Sequence, residues 1–168
     1  MRALLSEALR QTGKISMIVK GRFSLDTNVL VYAVDRDAGK RHEQSKELIG
    51  HAAQCDCVLT TQVLAEFFHV TTRKKLLEPS HASAFVHDWL EVFQVFSADY
   101  TALVNAMDAV NDHWLSFWDA MLWATALQSG CSAILSEDMQ DGRRLNGVEF
   151  INPFSAEAAV RLAALLKV

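Results

Sequence analysis

Short apolar runs recur along this chain, and a helix-length segment separates almost every one from the next. Residues 22–25, 57–60, 92–96, 132–135 and 148–151 read as strands, rich in Val, Ile, Leu and Phe and bounded by turn-forming residues. Helical patterning fills the intervals. One helix is expected to begin near Asn28, a second over 42–53 with Leu48 and Ile49 as its apolar anchor, and a third over 62–75 behind a Thr61 cap. Others are expected from a Ser80 cap to residue 91, over 99–110, over 116–128 with Gly130 as its stop, and over 156–166. Parallel neighbours need a crossover of about a dozen residues, usually a helix. The alternation therefore predicts an α/β fold: a three-layer α/β/α sandwich with a central, mainly parallel five-stranded sheet.

At 168 residues, half of them apolar and only two of them proline, the chain suits one domain with a sizeable core. That domain is expected over residues 21–168. Residues 1–20 read as an N-terminal appendage: Leu4, Leu5 and Leu9 fall near one helical face, Ser6, Glu7 and Arg10 break any signal-peptide core, and Met17 offers a second start just before the first strand. No apolar run approaches the roughly 18 residues of a membrane span. Cys55, Cys57 and Cys131 are too few and too oddly spaced for a disulfide framework or a four-ligand zinc site, and read as buried thiols of a cytoplasmic protein. A net charge of −4 argues against coating nucleic acid by bulk electrostatics. It leaves a nuclease open, because carboxylates that hold cations count as negative until the ion binds.

In open parallel sheets, ligands sit beyond the carboxyl ends of the strands. Asp26 follows the first strand and interrupts the apolar run F-S-L-D-T-N-V-L-V-Y-A. Ser136, Glu137 and Asp138 follow the fourth, with Asp141 three residues on. Glu66 lies in the helix after the second strand, and Asp119 in the first turn of the helix feeding the fourth. Each acid has an ordinary explanation. Asp26 could cap a helix, Glu66 could pair with Arg73 or Lys74, Asp119 could close a capping box with Ser116, and Asp138 and Asp141 could belong to a polar loop. A single site for a hard divalent cation explains all of them at once. Arg73, Lys74, Arg143 and Arg144 are candidates to grip phosphates at its rim. Trp114, Phe117, Trp118 and Trp123 read as core or as a dimer face rather than a base-stacking platform.

Taken in order, L-D-T-N-V-L-V-Y-A, T-T-Q-V-L-A-E-F, S-F-W-D-A-M-L-W-A-T-A, L-S-E-D-M-Q-D-G and F-I-N-P-F resemble the PIN domain, and among PIN domains the VapC-type toxin nucleases of bacterial toxin–antitoxin pairs. The resemblance runs from about Phe23 to Phe154. It implies an endoribonuclease dependent on Mg2+, or Mn2+, with Asp26, Glu66, Asp119 and Asp138 as catalytic, metal-holding acids and Asp141 as an auxiliary one. Asn28 and Ser136 would support those carboxylates by hydrogen bonds. It also implies a homodimer, a cognate antitoxin whose tail blocks the acidic groove, and RNA as substrate.

Three rivals remain at this level. A catalytically inactive RNA- or protein-binding PIN-like module would use the acids for structure alone. A phosphatase with Asp26 as nucleophile would want a second acid where Asn28 stands. A DNA-directed nuclease would share the chemistry and differ in substrate.

Overall fold

β1 (Arg22–Leu25) lies at the centre of the sheet and is covered on both faces: Phe23 and Leu25 on one face are fully buried, and so is Ser24 on the other. The computed structural model describes residues 21–166; the expected N-terminal helix lies outside them. Six strands pair in the order β3-β2-β1-β4-β6-β5. β2 (Cys57–Thr60) and β3 (Gln94–Phe96) extend the sheet on one side of β1, while β4 (Cys131–Leu135) and β6 (Val148–Ile151) extend it on the other, all parallel.

The five expected strands are all present, and the sheet is one strand larger than expected. β5 (Arg144–Leu145) pairs antiparallel with β6 through a two-residue turn, Asn146-Gly147, whose φ values of +47° and +89° suit a mirror-image hairpin turn.

Helices flank the sheet. α1 (Thr27–Tyr32) and α2 (Lys40–Ala52) form the first crossover, α3 (Thr61–Arg73) and α4 (Pro79–Val92) the second, α5 (Tyr100–His113) and α6 (Phe117–Gln128) the third, and α7 (Ala159–Leu166) closes the chain. Two caps fall one residue or more from their expected places. Thr60, not Thr61, caps α3 by accepting the Val63 N–H at 3.1 Å, which leaves the Thr61 hydroxyl to donate to the Phe96 carbonyl. α4 starts at Pro79 rather than behind Ser80, since a proline's fixed φ suits the first helical position. Ser116 caps α6 as expected, accepting the Asp119 N–H at 3.2 Å.

α6 is the most enclosed helix. Ala120, Leu122, Trp123, Ala124 and Ala126 are buried, and the Trp123 indole donates to the Leu145 carbonyl at 3.2 Å. The other aromatics near it depart from the core reading. Trp114 is 91% exposed, Trp118 is 61% exposed, and Phe117 is exposed with them. No described helix is long and apolar enough to cross a membrane.

Candidate active site at the β1–β4 switch point

The strand order reverses between β1 and β4: successive strands step outward from β1 in one direction, then β4 begins the other flank. Such a reversal opens a crevice beyond the carboxyl ends of the two strands. Leu25 pairs with Leu135 in register, and the Asp26 N–H carries the ladder one step further by donating to the Leu135 carbonyl at 2.9 Å. Backbone pairing therefore fixes Asp26 directly beside Ser136.

Asp26 is buried. Its Oδ1 accepts the Thr27 N–H at 2.6 Å and its Oδ2 accepts the Ser136 hydroxyl at 2.6 Å. It thus caps α1, as the ordinary explanation had it, without any basic side chain to offset its charge. Burial pushes its carboxyl from 3.8 up to about 6. The two hydrogen bonds oppose that rise, and the charges of Asp119 and Asp138 add to it. Asp138, exposed at the start of the β4–β5 loop, is also raised, first by partial loss of solvent and then by the charges of Asp119 and Glu137, while the Asn28 amide holds it down. Three carboxylates thus lie within electrostatic reach of one another.

Glu66 joins them through α1 and α3. The Thr27 hydroxyl donates to its Oε2 at 2.7 Å, and the Gln62 amide donates to its Oε1 at 2.9 Å. The expected alternative partners, Arg73 and Lys74, do not reach it. They lie two helical turns further along α3, about 10 Å from Glu66 by axial rise. Among the described residues no Lys, Arg or His forms an ion pair with Asp26, Glu66, Asp119 or Asp138.

The other candidates separate from this group. Asp141 accepts the Asn152 N–H at 2.9 Å and pairs with Arg161 at 2.7 Å, and that guanidinium holds its carboxyl below the ordinary value. Its Oδ1 thus ties the loop to the end of β6 and its Oδ2 ties it to α7, so both oxygens have structural partners. Two of the four rim cations have partners too. Arg143 donates to the His113 carbonyl at 2.8 Å, and Arg144 pairs with Glu149.

The cation that does stand beside the acids is Arg41, which inspection of the basic pairs in the sequence overlooks. It grips Glu137 through two hydrogen bonds, at 2.6 and 3.0 Å, and lies 5.9 Å from the Tyr32 ring and 5.6 Å from the Phe154 ring. The Tyr32 hydroxyl is raised by loss of solvent, then by the charge of Glu137, and more weakly by those of Asp138 and Asp26. This places the Arg41–Tyr32 pair on the edge of the same crevice.

The PIN domain profile matches residues 24–145, most of the chain and all of these acids. The chain belongs to the PIN-domain family. Solved structures share the PIN fold at low identity. VapC20 of Mycobacterium tuberculosis, described as a sarcin–ricin loop cleaving toxin, is 19% identical, with a TM-score of 0.56 over 69% of this chain and 91% of that one. A toxin–antitoxin complex from Klebsiella pneumoniae is also 19% identical, with a TM-score of 0.56 over 79% and 98%. DNA-bound VapBC from Salmonella typhimurium is 17% identical, with a TM-score of 0.57 over 77% and 96%. No curated protein matches the sequence.

The acids of this PIN domain suit a hard divalent cation in chemistry: four carboxylates, oxygen donors only, unpaired with any basic side chain, with Asp26 and Asp138 raised first by burial and then by neighbouring acidic charge. As placed, no three Asp, Glu, His or Cys side chains among the described residues are close enough to share one ion. The Asn28 amide donates to Asp138 and the Gln62 amide to Glu66. Asp119 and Glu66 are half-buried and Asp138 is exposed, whereas Asp26 is buried and fixed by backbone pairing.

Proposed function

We propose that this protein is a metal-dependent endoribonuclease, the toxin of a type II toxin–antitoxin pair, which hydrolyses RNA phosphodiester bonds to 5′-phosphate and 3′-hydroxyl ends. The observation that carries the reading is the set Asp26, Asp119 and Asp138. Asp26 and Asp138 are raised by burial and then by neighbouring acidic charge at the strand-order reversal, and no side-chain cation compensates any of the three. A structural carboxylate is normally paired or solvated.

Asp26, Glu66, Asp119 and Asp138 would hold Mg2+ or Mn2+. The ion, when bound, would lower the pKa of a water and offset charge on the scissile phosphate. Ser136 holds Asp26 through its hydroxyl and Asn28 holds Asp138 through its amide, so each carboxylate has a polar neighbour that sets its direction. One of these carboxylates would orient or deprotonate the attacking water. Arg41, its charge beside the acidic crevice, is the residue suited to steer a phosphate toward it.

A homodimer and an antitoxin belong to the same reading. Tyr100, Leu103, Val104 and Met107 on α5, with Phe117 and Trp118 at the start of α6, are exposed large apolar side chains of the kind that interfaces cover. The antitoxin is supported by the Klebsiella complex, whose fold this chain shares. A cytoplasmic setting follows from the RNA substrate.

The test is incubation of the purified protein, freed of antitoxin, with total bacterial RNA in Mg2+, Mn2+ or EDTA, alongside an Asp26→Asn variant with metal. Discrete fragments that need metal, vanish in the variant and carry 5′-phosphates establish the enzyme. A 2′,3′-cyclic phosphate would refute the hydrolytic route. Cleavage of DNA in preference to RNA would reassign the substrate. Failure of the wild type both to cleave and to bind metal by calorimetry would favour the inactive binding module.

A further inference from the structure

Gln62 is the side chain in the crevice whose placement neither packing nor helix stability explains. Its Nε2 makes two hydrogen bonds, one to Glu66 Oε1 at 2.9 Å and one to the Trp118 carbonyl at 3.0 Å. Both partners are acceptors only, so the amide cannot be turned over without setting its oxygen against a carboxylate and a carbonyl. That orientation leaves Oε1 buried, with no hydrogen-bond donor among the described residues. Native proteins pair the large majority of buried polar atoms, and an exception calls for a reason. A leucine here would remove the unpaired oxygen and keep the helix.

The reason lies in what the amide joins. Glu66 stands on α3 and Asp119 on α6, two helices from different crossovers. Trp118, whose carbonyl takes one Gln62 hydrogen, immediately precedes Asp119 in the first turn of α6. The other hydrogen fixes Glu66 one turn further along α3. The Thr27 hydroxyl holds the second Glu66 oxygen and so adds β1's end to the same chain of contacts.

Resting on the nuclease reading above, we propose that Gln62 is a positioning residue. Its amide holds the Glu66 carboxylate at a set distance from the α6 N-terminus, so that Glu66 and Asp119 act on one bound cation rather than separately. Second partners of this kind typically change metal affinity by about ten- to a hundredfold when removed.

The test compares the wild type with Gln62→Leu and Gln62→Met, which keep length and helix propensity and remove the amide. Asp26→Asn serves as the site control. Calorimetry with MnCl2 gives affinity without reference to turnover, thermal unfolding without metal gives stability, and steady-state cleavage separates kcat from KM. The expected result is a fall in Mn2+ affinity of roughly tenfold or more, a lowered kcat with KM for RNA little changed, and a metal-free Tm equal to or above the wild type's. An unchanged Mn2+ affinity in a folded variant, while the wild type binds and Asp26→Asn does not, would overturn the positioning role and leave the nuclease standing. Absence of Mn2+ binding by the wild type would overturn both. If the leucine variant does not fold, the methionine variant decides between the same outcomes.

Discussion

The Ser136 hydroxyl donates to Asp26 Oδ2 at 2.6 Å and accepts the Asp138 N–H at 3.2 Å, so one buried oxygen links the acid after β1 to the acid after β4. Replacing Ser136 by alanine removes a bond to the charged form of Asp26 and leaves a backbone donor without its partner. The expected cost is about 1–3 kcal/mol at pH 7.5. It should shrink toward pH 5, where Asp26 is increasingly protonated and the lost bond matters less. Urea unfolding at the two pH values checks this, and an equal loss at both would remove the link to Asp26 ionisation.

Asp26 itself sets a pH dependence of definite sign. Its carboxyl rises from 3.8 to about 6 on folding, because burial outweighs its two hydrogen bonds. The folded state therefore keeps the proton longer than the unfolded chain does. The contribution of this group is most favourable below pH 3.8 and falls as pH rises through about 6. The full effect at neutral pH is about 3 kcal/mol against folding. Metal-free protein should lose stability between pH 4 and pH 7 through this group, and Asp26→Asn should remove that slope and be the more stable protein at pH 7.5. Divalent metal should raise the wild-type Tm at pH 7.5 and leave the variant's unmoved. Paired melting curves in EDTA and in MgCl2 measure both effects. The same variant should lose about two orders of magnitude or more in cleavage, the scale of removing one preorganised electrostatic group.

Asp141 separates structure from chemistry among the loop acids. Its carboxylate is taken up by Arg161 and the Asn152 N–H, and Arg161 reaches on to Glu149 at 3.1 Å. Asp141→Asn should therefore lower Tm modestly by loosening α7, while Mn2+ affinity stays well inside the roughly tenfold loss that removal of an outer-sphere partner causes. Asp119→Asn should do the reverse. Calorimetry and thermal unfolding of the two variants decide it, and a large affinity loss in Asp141→Asn would restore Asp141 to the metal site.

Much of this architecture was legible because the relevant physics is local. Strands that alternate with helices leave few topologies, and the turn chemistry of Asp26-Thr27-Asn28 marks where the first strand ends. The positions of Asp26, Asp119 and Asp138 were legible for the same reason: each follows a strand or opens a helix, whereas Glu66, in the second turn of α3, carries no such mark. Two kinds of feature escaped. The β5–β6 hairpin carries a local signal, Asn146-Gly147, but the charged residues just before it, Arg143 and Arg144, give the segment the pattern of a polar loop. The pairing of long side chains has no local signal at all. Arg161 meets Asp141 from twenty residues away, and Arg41 meets Glu137 from ninety-six. Spacing along the chain could not show that Arg143 and Arg144 are occupied while Arg41 faces the acids.

Arg41 and Glu137 give the sharpest test of substrate contact, because two explanations of the pair predict opposite signs. If the pair serves structure alone, breaking it from either side weakens the protein and affects RNA in the same direction. If Arg41 meets the phosphate backbone, Glu137 competes with RNA for its guanidinium. Arg41→Ala should then raise the Kd for RNA and reduce the salt dependence of binding by about 0.7 in log–log slope, the value for one phosphate contact on a single strand. Glu137→Gln frees the same cation and should lower that Kd. Arg41→Lys should fall between wild type and alanine, since lysine keeps the charge and loses the fork and the stacking on Tyr32 and Phe154. Arg73→Ala, far along α3, should behave as wild type. Binding of a catalytically silent Asp26→Asn background to labelled RNA across a salt series measures all four, and a shift of Arg41→Ala and Glu137→Gln in the same direction would return the pair to a purely structural role.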